Sequence, residues 1–452
     1  MDIVILLLVY NELEKTKQTV EQLRSLDENV EFSVIIVDNG STDGTKEWAL
    51  AQSDLSYAGT DSGMELWGNV LTQVFEMFDI QTDVVIMQSG YILFSGALTN
   101  LHNCLHSDAR IGMVGTVLSY SDNVVQRAEK EIANIDDAVK YAESIKYDKD
   151  IEVMGLECGL FMISSEALRN IGGFERRINS LHVMSVGFCV RFIQSGYRLK
   201  LCRSAFAYVE PHLFPEPVMS YLYNEEDQAI MEKQLGIHYF TIYPKRGMTD
   251  LIKRSANEEF SVLEIGCDCG ATLLDIKNRF SNCKTYGCDI TSSAIEVAQS
   301  YVDMAFVANV EEESFPIEPE SLDYIIFADV LEHLHDPAKT LRYAGRLLKK
   351  GGRVLASIPN LMHVSVFKQL LQGNFTYTET GLLDKTHIHL FTYNEILKIF
   401  SENGYNLEFC GDVRTFLQKD EEELVDRLME ISDGAERFMY TAFQYQVSAV
   451  KR

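Results

Sequence analysis

Two stretches of this chain hold residue types that can do chemistry. In the first, VLEIGCDCG at 262–270, an apolar run stops in a turn bearing Gly266 and Gly270, which reads as a buried strand feeding a loop. Glycine lets backbone N–H groups come close to a ligand, and 271–280 has the apolar spacing of a helix whose N-terminus would face that ligand. The next strand-like run, KTYGCD, ends on Asp289, where an acid can bind ribose hydroxyls. A dinucleotide fingerprint starting at Gly266 would need glycine at 268 and 271; the chain has Asp268 and Ala271, so that reading fails. The second stretch, 359–392, gathers His363, Asp384, His387 and His389. Histidine titrates where a general base must work, and Asp384, three residues before His387, is placed to orient it or raise its basicity. The competing reading of His387 is a structural histidine that ties down its own loop.

These residues need a scaffold, and the chain is long enough for two or three domains at 452 residues. A formal charge of −27 and a pI near 4.8 argue against nucleic acid or an anionic membrane as partner. An anionic ligand would also gain no long-range attraction, so its site must be locally polarised. Cys267, Cys269, Cys283 and Cys288 lie close in sequence without a C-x-x-C pair, and read as reduced, buried strand-end residues rather than zinc ligands. No metal site is expected. Residues 1–10 are apolar, but Asp2 and the Asn11-Glu12 ending mark a first strand, not a signal peptide or a membrane span.

In chain order, 3–9 is a strand, 16–26 a helix, and 32–37 a strand closing on the polar turn DNGSTDG, a βαβ start with polar groups at the strand ends. Pro211, Pro215 and Pro217 interrupt regular structure, and 221–235 reads as a helix. Beyond Asp289 come a helix at 293–302 and strands at 304–307 and 323–328. Asp336 is then an N-cap with Pro337 in the first turn, and Lys349-Lys350-Gly351 is expected to end that helix. A fifth strand at 351–360 and two more at 405–410 and 438–451, antiparallel at one edge, make seven. Residues 421–431 read as a surface helix.

EIGCDCG, the strand-end acid, ADVLEHLHDP and DKTHIHLFT together resemble the class I methyltransferases that use S-adenosylmethionine, over about 190 residues. Asp268 stands where the family's middle glycine is usual, and His389 where arginine is usual. The resemblance implies cofactor contacts from Glu264, Gly266, Cys267 and Gly270, from Asp289 and Ile290, from Asn309 and Val310 at the adenine, and from Asp329 after the next strand. It makes Tyr243 and Arg246, in the lead-in TIYPKRGMTD, candidate cofactor or substrate contacts. His363 and His389 are candidate substrate contacts, and His333 a packing or cofactor residue.

LVYNE and VDNGSTDGT resemble the opening of family 2 glycosyltransferases of the GT-A fold, a likeness that continues to about residue 210. It implies that Asp38 contacts a nucleotide base, with Asn11 close by. The metal-binding Asp-x-Asp of that family falls on Gln88, Ser89 and Gly90, and its Glu-Asp-x-Asp on Met184, Ser185, Val186 and Gly187. Asp61, Asp79 or Asp83 are the remaining candidates to replace the lost carboxylates.

The expected architecture is α/β: a GT-A-like domain over 1–212 without its catalytic carboxylates, a helical lead-in over 213–256, and a Rossmann-like, seven-stranded methyltransferase domain over 257–452. This order resembles bacterial glycosyltransferase/methyltransferase fusions of surface-glycan loci. It implies methylation of a sugar hydroxyl on a glycan, glycoconjugate or nucleotide-linked precursor, with His387 and Asp384 as catalytic pair, in the cytoplasm or beside a glycan-assembly complex. A bifunctional enzyme, an N-methyltransferase of an amino sugar and a non-enzymatic assembly subunit stay open, as does a homo-oligomer.

Overall fold

Seven consecutive apolar residues, Ile3–Val9, form β1, all of them buried, because a parallel strand inside a sheet is covered on both faces. The computed structural model describes residues 3–60, 65–121, 123–145, 149–157, 159–178, 180–209, 225–235, 242–312 and 314–452. The chain divides into two units, Met1–Tyr243 and Pro244–Arg452. Of the lead-in set apart at 213–256, the helix Glu225–Leu235 falls in the first unit and everything from Pro244 on in the second. Residues 213–224 lie outside the described ones.

In the first unit β1 pairs in parallel with β2 (Phe32–Asp38) and β4 (Asp83–Gln88). β3 (Leu55–Gly59), β5 (Tyr91–Leu93), β6 (Ile111–Leu118), β7 (Ile151–Val153), β8 (Leu160–Ile163) and β9 (Arg198–Val209) complete a mixed sheet. Its order is β3-β2-β1-β4-β8-β6-β9-β5, with β7 alongside β9. The first helix, Leu13–Arg24, starts three residues before its expected place. The Asp43 carboxylate, from the turn after β2, accepts the Leu13 amide at 2.8 Å and satisfies an N-terminal donor that no local cap could.

The second unit is built on β10 (Phe260–Ile265), β11 (Cys283–Asp289), β12 (Met304–Val307), β13 (Leu322–Ala328), β14 (Leu348–Pro359), β15 (Tyr405–Arg414) and β16 (Ala442–Lys451). Their order is β12-β11-β10-β13-β14-β16-β15. Five strands run parallel, and β16 is antiparallel to both β14 and β15, so the expected edge pair is present. Asp336 caps helix Pro337–Leu347 by accepting the Lys339 amide at 2.8 Å. Lys349-Lys350-Gly351 does not end that helix. Leu348 already pairs with Leu322 on β13, and Gly351, at φ +76, lies where the register shifts before Arg353 meets Tyr324. The α/β class expected for both halves therefore holds, with a mixed sheet in each.

Candidate functional site

β10 lies between β11, its successor in sequence, and β13, which is not. Ligands of open α/β sheets bind at such a switch, beyond the carboxyl ends of the strands. Gly266 begins the turn there at φ +71, and a Cβ on it would meet Val330 Cγ2 at 2.7 Å. Gly270, at φ +87, lies against Val302 and Ala298. Asp268 holds a left-handed φ of +49, a conformation that aspartate tolerates better than most residues, so the turn keeps a left-handed step where glycine was expected. Several of the turn's amides are spent within the protein. Gly266 and Cys267 both donate to the Cys288 carbonyl, at 2.9 and 3.1 Å, and Gly270 donates to that of Cys267 at 2.8 Å. This corrects the expectation of N–H groups open to a ligand: these glycines serve backbone shape and close packing.

Carboxylates dominate the rim. Glu264 is buried with Oε2 lacking any partner, and burial pushes its carboxyl up to about 8. Burial, and then the charge of Asp289, lift Asp268 to about 7. Asp289 accepts the Asp268 amide at 3.0 Å and the Thr291 amide at 2.8 Å, one on each oxygen. Lys245 faces this group. Its Nζ lies 2.9 Å from Asp329 Oδ2, and Asp329, then Asp268 and Glu264, hold its pKa above the usual lysine value. Asp329 Oδ1 accepts from Ser357 Oγ at 2.8 Å and from Gln444. Ile290 is 74% exposed beside these acids and Val307 55%. Asn309 is exposed, its Oδ1 accepting the Glu311 amide at 3.0 Å, while Val310 is buried.

Beyond Asp329, the short 3-10 turn Leu331–His333 meets the loop that carries DKTHIHLFT. The Glu332 carbonyl accepts the amides of Ile388 and His389 at 2.8 and 2.9 Å. His333 and His387 stand edge to face, 4.8 Å between ring centroids. His387 Nδ1 is held by the Leu382 carbonyl at 3.2 Å, and burial lowers its pKa. Asp384 does not orient it. That carboxylate accepts both the amide and the hydroxyl of Thr386, at 2.8 and 2.6 Å; burial opposes its ionisation, yet the Thr386 bonds hold it below the usual range.

Four further candidates have partners within the protein or a different place in it. His363 is buried, its Nδ1 engaged with Ser365 at the N-cap of helix Val364–Leu371 and its ring 5.5 Å from that of Phe443. His389 meets the His335 carbonyl at 3.2 Å. Arg246 pairs with the buried Asp275 at 3.3 Å, pinning the lead-in to helix Ala271–Arg279 rather than facing the strand ends. Tyr243 belongs to the first unit, beside Gly155 and His182.

In the first unit the corresponding switch lies between β1 and β4, over a cavity of about 220 Å³ lined by Tyr10, Glu12, Trp67, Gln88, Ser89 and Leu181 among others. Glu12 is its carboxylate, and it is engaged by Lys15 at 2.8 Å and by Ser89. Asp38 is buried, accepting the Ser41 amide at 2.8 Å and the Tyr57 hydroxyl at 3.0 Å. Asn11 braces the same turn by accepting the Thr42 amide at 2.8 Å. Asp83 begins β4 and pairs with His106 at 2.6 Å, about 16 Å of strand from Gln88. Asp79 caps the preceding helix. Neither is among the residues that line the cavity, and Asp61 lies outside the described residues. Met184 to Gly187 are buried within helix Leu181–Gln194.

Residues 238–408 match the family described as methyltransferase domain. The C-terminal unit carries a methyltransferase domain. Residues 4–60 match glycosyl transferase family 2. Among curated proteins the chain is similar to ubiquinone biosynthesis O-methyltransferases, of Albidiferax ferrireducens (33% identical over 105 residues, 22% of this chain and 41% of that protein) and of Neisseria meningitidis serogroup A (30%, 22% and 44%). The chain thus spans less than half the length of these relatives. Solved structures similar to it include S-adenosylmethionine-dependent methyltransferases of Methanosarcina mazei (16% identity, TM-score 0.32, 44% of this chain and 94% of that one) and Aquifex aeolicus (15%, 0.30, 44% and 85%).

Two residues of the methyltransferase domain escaped the sequence reading. Lys245 sits between the two lead-in residues that were singled out, and nothing in its local pattern distinguishes it. Glu332 lies inside ADVLEHLHDP, where its near-complete burial is invisible to a motif match. No helix among the described residues is long and apolar enough to cross a membrane.

Proposed function

We propose that this chain transfers a methyl group from S-adenosylmethionine to a sugar hydroxyl of a glycan or glycoconjugate, and that its first unit binds saccharide or nucleotide without transferring sugar. The observation that carries the cofactor half is the group Glu264, Asp268 and Asp289 around one turn, with Glu264 Oε2 unpartnered. Clustered acids facing the single amine of Lys245 suit a cationic ligand, and a turn with several amides already bonded suits one without phosphates.

The bound cofactor supplies a methyl group on a sulfonium, already a good leaving arrangement. Asp289 would hold the ribose hydroxyls, with Ile290 and Asn309 on the side of the adenine. Glu264 accepts from the amino-acid end. The acceptor oxygen lies toward His333 and His387, where alignment supplies most of the rate. Its proton passes to His387 Nε2, free because Nδ1 is tied to Leu382, on an imidazole kept neutral by burial. Oxygen as acceptor is supported by the relatives, which are named as O-methyltransferases, and a sugar by the family 2 match of residues 4–60. For the first unit, the lack of carboxylates at Gln88 to Gly90 and Met184 to Gly187 supports binding over transfer.

Calorimetric titration of the full chain with S-adenosylmethionine and S-adenosylhomocysteine, repeated on Asp289→Asn, tests the cofactor site. Binding that weakens in the variant supports it, and absence of binding to the unmodified chain leaves the assembly-subunit reading. A panel of nucleotide sugars with Mn²⁺ tests the other half, where turnover would make the protein bifunctional.

A further inference from the structure

Glu332 is 1% exposed, and both of its carboxylate oxygens lack a hydrogen-bond partner. Burial pushes the pKa of this carboxyl well up, so it stays protonated unless a cation comes to it. The neighbouring amine is not that cation, since Lys245 Nζ is committed to Asp329 at 2.9 Å.

Two imidazoles lie near this carboxylate without bonding it, and their tautomers are fixed from behind. The Thr386 hydroxyl gives its proton to Asp384 at 2.6 Å, so at 3.1 Å from His333 Nδ1 it accepts, and the Thr386 carbonyl accepts from the same nitrogen at 3.2 Å. His387 Nδ1 donates to the Leu382 carbonyl at 3.2 Å. Both rings therefore keep the lone pair on Nε2. One ligand atom from each of Glu332, His333 and His387 lies within 4.8 Å of the others. Carbonyl-held histidines beside an unpartnered carboxylate have the outer-shell support typical of metal ligands.

We propose that Glu332, His333 and His387 form a site for one divalent first-row transition ion, with open positions facing the acceptor. Two nitrogen donors and one oxygen select ions such as Zn²⁺, Co²⁺ or Mn²⁺ over Ca²⁺ or Mg²⁺. The inference rests on the methyltransferase reading for what the ion does, though not for whether it binds. An acceptor hydroxyl displaces water from the ion and is acidified there. Its proton leaves to solvent, the C–O bond forms as the C–S bond breaks, and the electron pair of that bond stays on sulfur. His387 is then a ligand, and the ion replaces it as the agent of proton loss.

The test uses the full chain stripped of metal and carrying His102→Ala, His106→Ala and Cys202→Ser, which remove the cluster with Asp83 and the one with Cys104 and Asp150. Co²⁺ is titrated by visible absorption and displaced with Zn²⁺. One site is expected, weakened about tenfold or more by Glu332→Gln and by His333→Ala. Spin-echo spectroscopy of the Mn²⁺-loaded parent should show imidazole nitrogen coupling, a result independent of whether the variants fold. Variants that bind Co²⁺ like the parent, or a parent that binds none at millimolar metal, would overturn the site. S-adenosylmethionine binding measured on the same samples separates the two readings. Cofactor binding without metal removes only the ion, and metal without cofactor binding removes only the methyltransferase role. Glu332→Gln also distinguishes ion from direct base, because a base at His387 survives it and an ion does not.

Discussion

The Asp268 amide donates to the Asp289 carboxylate across 3.0 Å, so the residue in the place of the expected glycine is tied to the strand-end acid. Asp289 thereby holds the turn from both sides, since Thr291 bonds its other oxygen. Asp289→Asn keeps one oxygen acceptor, and should leave the melting temperature within a few degrees while weakening S-adenosylmethionine about tenfold. Asp289→Ala strands two amides at about 1–3 kcal/mol each where water cannot reach them, and should lose both stability and binding. Calorimetry beside thermal melts reads the difference. Equal loss in both variants would make the residue purely structural.

Binding should release protons near neutral pH. Burial pushes Glu264 up to about 8 and Asp268 up to about 7, above the usual carboxylate range. For acids raised by folding, the stability contribution is fully present below the unfolded values and is lost as pH rises through the folded ones. The cofactor-free domain should therefore lose stability between roughly pH 4 and 8. A cationic cofactor beside these acids favours their ionised forms and should bind more tightly across the same window. Titration in buffers of different ionisation enthalpy measures the released protons, and a buffer-independent heat would contradict the assignment.

The two ends of the turn should respond oppositely to substitution. Gly266→Ala places a Cβ 2.7 Å from Val330 at φ +71, and should destabilise by about 1–3 kcal/mol. Asp268→Gly relieves a left-handed aspartate at φ +49 and should be neutral or stabilising by up to about 1 kcal/mol, while removing a charge that raises Glu264. Urea denaturation of both variants checks the pair.

Neighbouring cations in the lead-in should separate stability from binding. Arg246 pairs with buried Asp275, which also has Thr249 at 3.0 Å. Arg246→Ala should therefore cost stability, about 1–2 kcal/mol after allowing for the arginine's partial exposure, and leave cofactor affinity near that of the parent. Lys245→Met removes the amine that faces Asp329, and should change affinity more than melting temperature.

The first unit should hydrolyse nucleotide sugars only at background, with or without Mn²⁺. Its switch-point cavity offers Glu12, already bound by Lys15 and Ser89, and no second carboxylate among its lining residues. Leaving-group charge then has nothing to neutralise it. Mn²⁺-dependent hydrolysis would mark the protein as bifunctional.

The sequence by itself determined what depends on near neighbours. Unbroken apolar runs marked β1 and β10 because central parallel strands are covered on both faces. Asp336 announced a helix start because its carboxylate reaches an amide three residues on. The glycine turn and Asp289 were legible for the same reason. Even so, Lys349 to Gly351, which read as a helix end, lie in β14, because pairing of Leu348 with Leu322 outweighs a local stop signal. Tertiary structure alone decided what depends on distant neighbours. Lys245 meets Asp329 across 84 positions, Arg246 is drawn to Asp275, and the Leu382 carbonyl rather than Asp384 holds His387. Glu332 is left without a partner because the 384–389 loop engages its backbone and not its carboxylate. Such contacts follow from which strand ends lie side by side in the sheet, and local spacing carries no record of that order.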